Sequence, residues 1–313
     1  MRVLITGGAG FIGSHLADRL LERGDEVLVI DNFATGRRDN LEARPGLTLV
    51  AGTIADASLV DQAFDDFQPQ QVIHAAASYK DPTDWTEDVR TNVLGTCHIV
   101  AATRRAGAKR LIYFQTALCY GLRPTEQPIR LDHTLDPCGS SYAISKTAGE
   151  NYIALSGLEF VSFRLANCYG PRNISGPLPT FFSRLSAGKP CFCVDTRRDF
   201  IFIDDLLAVV LASLDGQGGT GYYHISSGRD FSIQELYDAT VSALGLPPDP
   251  AVEVRSRSPD DAFTILLDPT RTNQDFNWQA DTPLETGVAA AVEYYKQFGV
   301  TQTYTHLRDV ATK

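Results

Sequence analysis

Through the first half of the chain, short and nearly continuous apolar runs alternate with longer amphipathic stretches. The runs at 3–5, 27–30, 47–50, 72–74, 111–114 and 160–163 are rich in Val, Ile, Leu and aromatic residues. Runs of that length and type predict strands covered on both faces. Between most of them lie helix-length segments at 12–23, 58–67, 92–106 and 142–156. Strands and helices in this alternation predict βαβ units and an α/β fold, a doubly wound parallel sheet of Rossmann type. After about residue 166 the rhythm changes, and Pro171, Pro177, Pro179 and Pro190 with Gly170, Gly176 and Gly188 mark a loop-rich region. A strand at 200–203 and helices at 205–214, after Phe231 and at 284–298 predict a smaller mixed α/β C-terminal domain. The expected division is 1–165 and 166–313, with 197–220 returning to pack on the first domain.

Composition narrows the field. The chain has 313 residues, 43% hydrophobic and 21% charged, the balance of a globular protein. A net charge of −10 argues against a nucleic-acid groove or an anionic membrane surface. An anionic ligand must therefore be held by local arginines. The apolar run at 206–214 lies between aspartates and is too short for the ~30 Å hydrocarbon core of a bilayer. Met1 leads directly into a strand pattern, so no export signal is expected. Cysteines at 97, 119, 138, 168, 191 and 193 and histidines at 15, 74, 98, 133, 224 and 306 show no zinc or disulfide spacing. The expectation is a reduced, cytoplasmic protein without a metal.

The glycines at 7, 10 and 13 follow the first strand and open the first helix. Glycine suits a turn so tight that backbone N–H groups meet a pyrophosphate, and the helix N-terminus adds partial positive charge. Asp31 closes the next strand 18 residues beyond Gly13, where a carboxylate accepts the adenosine ribose hydroxyls and repels a 2′-phosphate. The pattern points to NAD, although Arg37 and Arg38 follow closely.

Tyr142 and Lys146 stand at i, i+4 on one predicted helix face. Of the 12 tyrosines, only Tyr142 has lysine four residues on. A phenol of pKa about 10 is a poor base at neutral pH, and a nearby cation lowers it. Thr116 ends the fifth strand, at the edge where a parallel sheet places its ligands. Its hydroxyl can meet both a sugar hydroxyl and the Tyr142 oxygen.

These features in this order resemble the extended short-chain dehydrogenase/reductase family, above all its nucleotide-sugar epimerases and dehydratases. The likeness runs through Thr6–Gly13, Asp31-Asn32, Asn92 to Thr96, Thr116 to Gly121, Arg164 to Arg172 and Arg198 to Phe200. It implies catalysis by Thr116, Tyr142 and Lys146. It implies NAD contacts at Gly7, Gly10, Phe11, Ile12, Asp31, Asn32, Thr35, Gly36, Thr53, Ile54, Ala75, Ala76, Ala77 and Asn92, and at Tyr142 and Lys146. It further implies a nucleotide-diphosphate sugar held by Asn167, Arg198, Arg257 and Asp260, with Thr116 and Tyr142 at the sugar and Lys80 placed to neutralise a uronic acid carboxylate. The segments 78–85 and 114–120 are similar to epimerases encoded with bacterial surface-polysaccharide genes.

Within that family, 4,6-dehydratases follow the threonine with Asp-Glu, and decarboxylases commonly keep the glutamate. Here Ala117 and Leu118 follow. Elimination needs a proton donor and a base, which Leu118 cannot supply, so the resemblance implies C4-epimerisation through a 4-keto sugar. Alternatives are a 4-ketoreductase or dehydrogenase that exchanges its cofactor, a dehydratase or decarboxylase, and a non-catalytic NAD-binding protein. Thr53 departs from an aspartate that usually reads adenine, and 191–198 departs from the family's glycine-rich approach to its arginine. Uridine is the default base. Helices near 92–106 and 142–156 imply a homodimer.

Overall fold

A computed structural model describes residues 1–79, 81–248, 252–257, 261–300 and 303. The six apolar runs form β1 (Arg2–Thr6), β2 (Glu26–Asp31), β3 (Leu47–Ala51), β4 (Gln71–His74), β5 (Arg110–Thr116) and β6 (Phe160–Leu165). Between them come α1 (Phe11–Glu22), α2 (Ala57–Phe67), α3 (Trp85–Asp88), α4 (Thr96–Ala106) and α5 (Ser141–Leu155). The helix expected from residue 92 begins earlier, at Trp85, and passes through a π-helical stretch, Val89–Gly95, before α4. Such widened turns accumulate at functional sites, and this one carries Asn92.

The rest of the chain runs β7 (Asn167–Tyr169), α6 (Pro177–Ser186), β8 (Phe192–Val194), β9 (Arg197–Arg198), β10 (Phe200–Phe202), α7 (Ile203–Leu214) and β11 (Gly221–Ile225). It ends with β12 (Phe231–Ser232), α8 (Ile233–Leu244), β13 (Glu253–Arg255), α9 (Thr270–Phe276) and α10 (Leu284–Phe298). Several short elements were not expected, and three of the unexpected elements matter most for the architecture. The region read as loops contains α6, because Pro177 sits in the helix's first turn, where its missing N–H is no loss. The short helix α9 follows Pro269. The third is β11, which pairs in parallel with β6 and becomes the seventh strand of the sheet.

The strands lie in the order β11-β6-β5-β4-β1-β2-β3, all parallel. This is the expected doubly wound, Rossmann-like sheet. Its two faces are separate apolar clusters. Val3, Ile5, Ile112, Val161 and Phe163 join Leu16 and Leu20 of α1 and Leu206 and Val210 of α7. Leu4, Val72 and Leu111 join Val60 and Phe64 of α2 and Ile99 and Ala102 of α4. The order reverses between β1 and β4, and ligands of open α/β sheets bind in the crevice at such a switch point. No helix among the described residues is long and apolar enough to cross a membrane.

Candidate active site

The loop after β1 is dictated by backbone crowding. Gly7 has φ +69°, and a Cβ there would stand 2.7 Å from Ala76 Cα and N. At Gly13 a Cβ would stand 2.4 Å from Gly7 O, so the turn and α1 close together only without side chains. Gly10 caps α1 with no side-chain hydrogen bond, leaving first-turn amides for an external anion. Phe11 and Ile12, half-buried, start that helix. Ala75, Ala76 and Ala77 continue β4 beside the loop, where Ala75 N donates to Thr6 O at 3.1 Å and Ala76 N to Thr6 Oγ1 at 3.2 Å.

Asp31, at the end of β2, is buried and accepts from Ala9 N at 2.9 Å and Phe33 N at 2.7 Å. Burial pushes its carboxyl upward, while those two amides pull it down. Gly36 lies so close that a Cβ would stand 2.9 Å from Asp31 Oδ1, and half-buried Thr35 precedes it. Asn32 is exposed and its Oδ1 accepts from Ala34 N at 3.0 Å. Arg37 is held by Asp39, and Arg38 lies 4.1 Å over the Phe33 ring. Thr53 Oγ1 accepts from Ala55 N at 3.2 Å, and buried Ile54 packs under Gly95. The cradle at Gly7 to Gly13, the open helix end and the carboxylate of Asp31 fit a dinucleotide.

Asn92, implied as a cofactor contact, lies in the π-helical stretch before α4. It is buried; its Oδ1 accepts from Ser78 N at 2.8 Å, and its Nδ2 donates to Ser78 O and Ser145 Oγ, both at 3.0 Å. Its amide thus ties the loop after β4 to α5.

Ser140 caps α5 by accepting from Ala143 N at 3.2 Å, which sets Tyr142 in the first turn and Lys146 one turn on. Tyr142 is half-buried, and its ring meets Tyr79 edge-on at 6.4 Å. Burial pushes its phenol well above the ordinary value, and Tyr79 and Asp88 add to the rise. Lys146 is 2% exposed, and burial lowers its ammonium to about 7, against a smaller upward pull from Glu150. Thr116 Oγ1 accepts from Leu118 N at 3.2 Å, leaving its proton to donate. The structure brings Thr116, Tyr142 and Lys146 to the carboxyl edge of the sheet.

On the far side, Asn167 is exposed; its backbone N and Nδ2 donate to Asp199 O at 2.8 and 3.3 Å. Asp199 is fully buried and accepts from Ser226 Oγ at 2.5 Å and Ser227 Oγ at 2.8 Å. Burial raises its carboxyl to about 6. Arg198 pairs with Asp261 at 2.6 Å, and exposed Arg257 donates to Asp261 O at 2.9 Å. Asp261 was not singled out from the sequence; the doubled aspartate at 260–261 was the available signal. Asp260 and Lys80 lie outside the described residues. Sequence reading also missed Tyr113, whose ring lies under Lys146. Two further omissions were Asp88, buried with Oδ1 lacking a hydrogen-bond partner, and the pair of Glu150 with Arg164 at 2.9 Å. Arg164, in a segment read as near the diphosphate, is 4% exposed and held by Glu150 and Tyr120.

Residues 3–225 match the model of the NAD dependent epimerase/dehydratase family. The chain is 32% identical to a UDP-glucose 4-epimerase of Mycolicibacterium smegmatis, covering 95% of this chain and 99% of that one. It is 29% identical to UDP-glucuronic acid decarboxylase 1 of Arabidopsis thaliana, covering 95% of this chain and 70% of that one. Among solved structures it resembles the Bordetella bronchiseptica enzyme WbmH in complex with NAD+, with 56% identity, a TM-score of 0.92 and coverage of 96% and 99%. It also resembles WbmG of the same organism with NAD and UDP, with 46% identity, a TM-score of 0.91 and coverage of 98% and 99%. With its glycine cradle, Asp31 and the tyrosine–lysine pair in place, the chain belongs to the NAD-dependent epimerase/dehydratase family of nucleotide-sugar enzymes.

Proposed function

We propose that this enzyme inverts C4 of a UDP-hexose or UDP-hexuronic acid through a transient 4-keto sugar. The observation that carries the reading is the turn after Thr116. Ala117 and Leu118 occupy it, buried and half-buried, so no carboxylate stands there to remove water or assist loss of carbon dioxide. What remains is the proton chemistry of one hydroxyl.

Tyr142 takes the C4 hydroxyl proton as phenolate and later returns it as phenol. The upward push on its phenol means that the phenolate needs help, and the ammonium of Lys146, one helical turn away, supplies positive charge. The NAD that the Gly7–Gly13 cradle and Asp31 would hold would supply the hydride acceptor for C4 oxidation and the hydride donor for its reversal. The free proton of Thr116 Oγ1 orients the C4 oxygen. Arg198 and Arg257 hold the diphosphate, with Asn167 beside them, so the keto sugar can turn over while the nucleotide stays in place; guanidinium forks suit phosphate oxygens.

Asp31, Thr35, Gly36, Thr53, Ile54 and Ala75 to Ala77 line the cofactor in this reading. By the family resemblance, Lys80 is assigned to the sugar carboxylate and Asp260 to the uridine ribose; both lie outside the described residues. The N-terminal part to about residue 165, with the returning segment, holds NAD, and the remainder holds the nucleotide sugar. A dimer through α4 and α5 belongs to the same reading. Ile144, Tyr152 and Leu155 are exposed on α5, with Val89 and Leu94 exposed just before α4. Light scattering should give twice the chain mass, and a monomer at micromolar concentration would remove the dimer. The free thiols at Cys97, Cys119, Cys138, Cys168 and Cys193 suit a cytoplasmic setting.

Purified protein without added cofactor, given a panel of UDP-sugars, should yield an isobaric product of changed retention. A product lighter by water or carbon dioxide would replace epimerisation with elimination or decarboxylation. Tyr142→Phe should keep NAD and the fold while turnover falls about 10²–10⁴-fold; unchanged turnover would defeat the mechanism.

A further inference from the structure

We infer that Tyr113 is a positioning residue for Lys146: its ring face carries the lysine ammonium, and its hydroxyl pins the turn of α5 that bears it. The inference rests on the reading of Tyr142 and Lys146 as catalytic. Lys146 Nζ lies 3.9 Å from the Tyr113 ring centroid, well inside the roughly 6 Å over which an aromatic face attracts a cation. Tyr113 Oη donates to Lys146 O at 2.9 Å. The fit depends on Gly149, where a Cβ would stand 3.0 Å from Tyr113 Oη and 2.7 Å from Asn92 O. On its other side the Tyr113 ring meets His74 at 5.4 Å, and Thr6 and Thr96 hold both nitrogens of that imidazole.

Other charged and titratable groups surround Lys146, and Glu150 and His74 both interact with it electrostatically. From β4, His74 is neutral at pH 7, since burial lowers it to about 3. On α5 itself, Glu150 is engaged at both oxygens by Arg164 of β6, at 3.2 and 2.9 Å. Beyond β5, burial pushes the Cys119 thiol up to about 12 and keeps it neutral. Asp88 and Tyr79 act on Tyr142 from the α3 side. A carboxylate under Lys146 would cancel the field that the ammonium exerts on Tyr142. A ring face favours the cation and leaves that field uncompensated.

The test compares Tyr113→Leu, which removes the ring, with Tyr113→Phe, which removes only the hydroxyl. In NAD-loaded protein, tyrosinate absorbance is titrated and the Tyr142→Phe difference isolates Tyr142. With the ring gone, the Tyr142 midpoint and the acid limb of kcat should both move up by about 0.5–1.5 pH units. Tyr113→Phe should leave both midpoints in place. Equal shifts in the two variants, or turnover lost at every pH with unmoved midpoints, would overturn the inference and leave a packing role. If Tyr113→Leu does not fold, Tyr113→Met replaces it as the ring-free variant. Wild-type protein in which Tyr142 does not titrate with activity would instead overturn the catalytic reading, and with it this inference.

Discussion

On the α1 and α7 side of the central sheet, Ile5, Ile112, Phe114, Val161 and Phe163 present apolar side chains, and the buried polar Gln71 and Arg110 lie at the strand starts, bonded to Leu214 O and Ser213 O. On the α4 and α5 side the same strands begin apolar, with Leu4, Val72 and Leu111, and end polar, with Thr6, His74, Ser162 and Arg164, all buried. Each of these four residues has a partner from another element. His74 bridges Thr6 and Thr96, Ser162 donates to Glu150, and Arg164 reaches Glu150 and Tyr120. Tyr120 Oη lies 2.7 Å from His224 Nε2, and His224 Nδ1 lies 2.9 Å from Asp268 O. The first face therefore holds the fold chiefly by burial. The other holds an array of fixed charges and dipoles beside α5, in a low dielectric where such groups act strongly.

The contrast predicts different responses to damage. The largest is expected for Glu150→Gln, which leaves the Arg164 charge buried without its counter-ion. Removing one member of a buried pair costs about 3–5 kcal/mol, readable as a fall in the urea midpoint. A loss below about 1 kcal/mol would mean that the polar face is no more demanding than the apolar one. The next effect is pH dependence. Burial lowers His74 to about 3 and His224 to about 4, below the unfolded value, so their stability is full above pH 6.5 and is lost as pH falls. Asp199, raised to about 6, acts oppositely and regains stability as pH falls through that value. The balance is a net loss of roughly 2–3 kcal/mol between pH 7 and pH 5. Urea unfolding at the two pH values should show it, with a shallower slope in His74→Gln; an unchanged slope in that variant would remove His74 from the account. The smallest effect belongs to the apolar face. Ile112→Val should cost about 0.5–1.5 kcal/mol, equally at both pH values, and a pH-dependent loss would show that the two faces are not separate.

The first domain was legible because its signals are local. Each strand run is short and apolar, and the glycines at 7, 10 and 13 stand where a turn must hug the next strand. In the second half the same signals misled. Proline at 177 and 179 reads as a loop marker, yet the first turn of α6 accepts it. The edge strand β11 runs Gly-Tyr-Tyr-His-Ile, with no aliphatic run to announce it, and only its pairing with β6 makes it a strand. At the site, the proposed catalytic trio lay on recognisable spacings. Arg198 was legible as a cation, but the carboxylate that holds it, Asp261, arrives from 63 residues away.

The sequence by itself determined the order of strands and helices in the first half of the chain, the tight turn at Gly7 and the common helix face of Tyr142 and Lys146. Backbone sterics and the periods of strand and helix act over a few residues and need no distant partner. Only the tertiary structure decided what surrounds those side chains: the Tyr113 ring under Lys146, Arg164 between Glu150 and Tyr120, and the closure of Asn92 on Ser78. Such contacts depend on the register in which β4, β5 and β6 lie side by side. That register follows from packing the whole sheet between its helix layers, so no local pattern carries it.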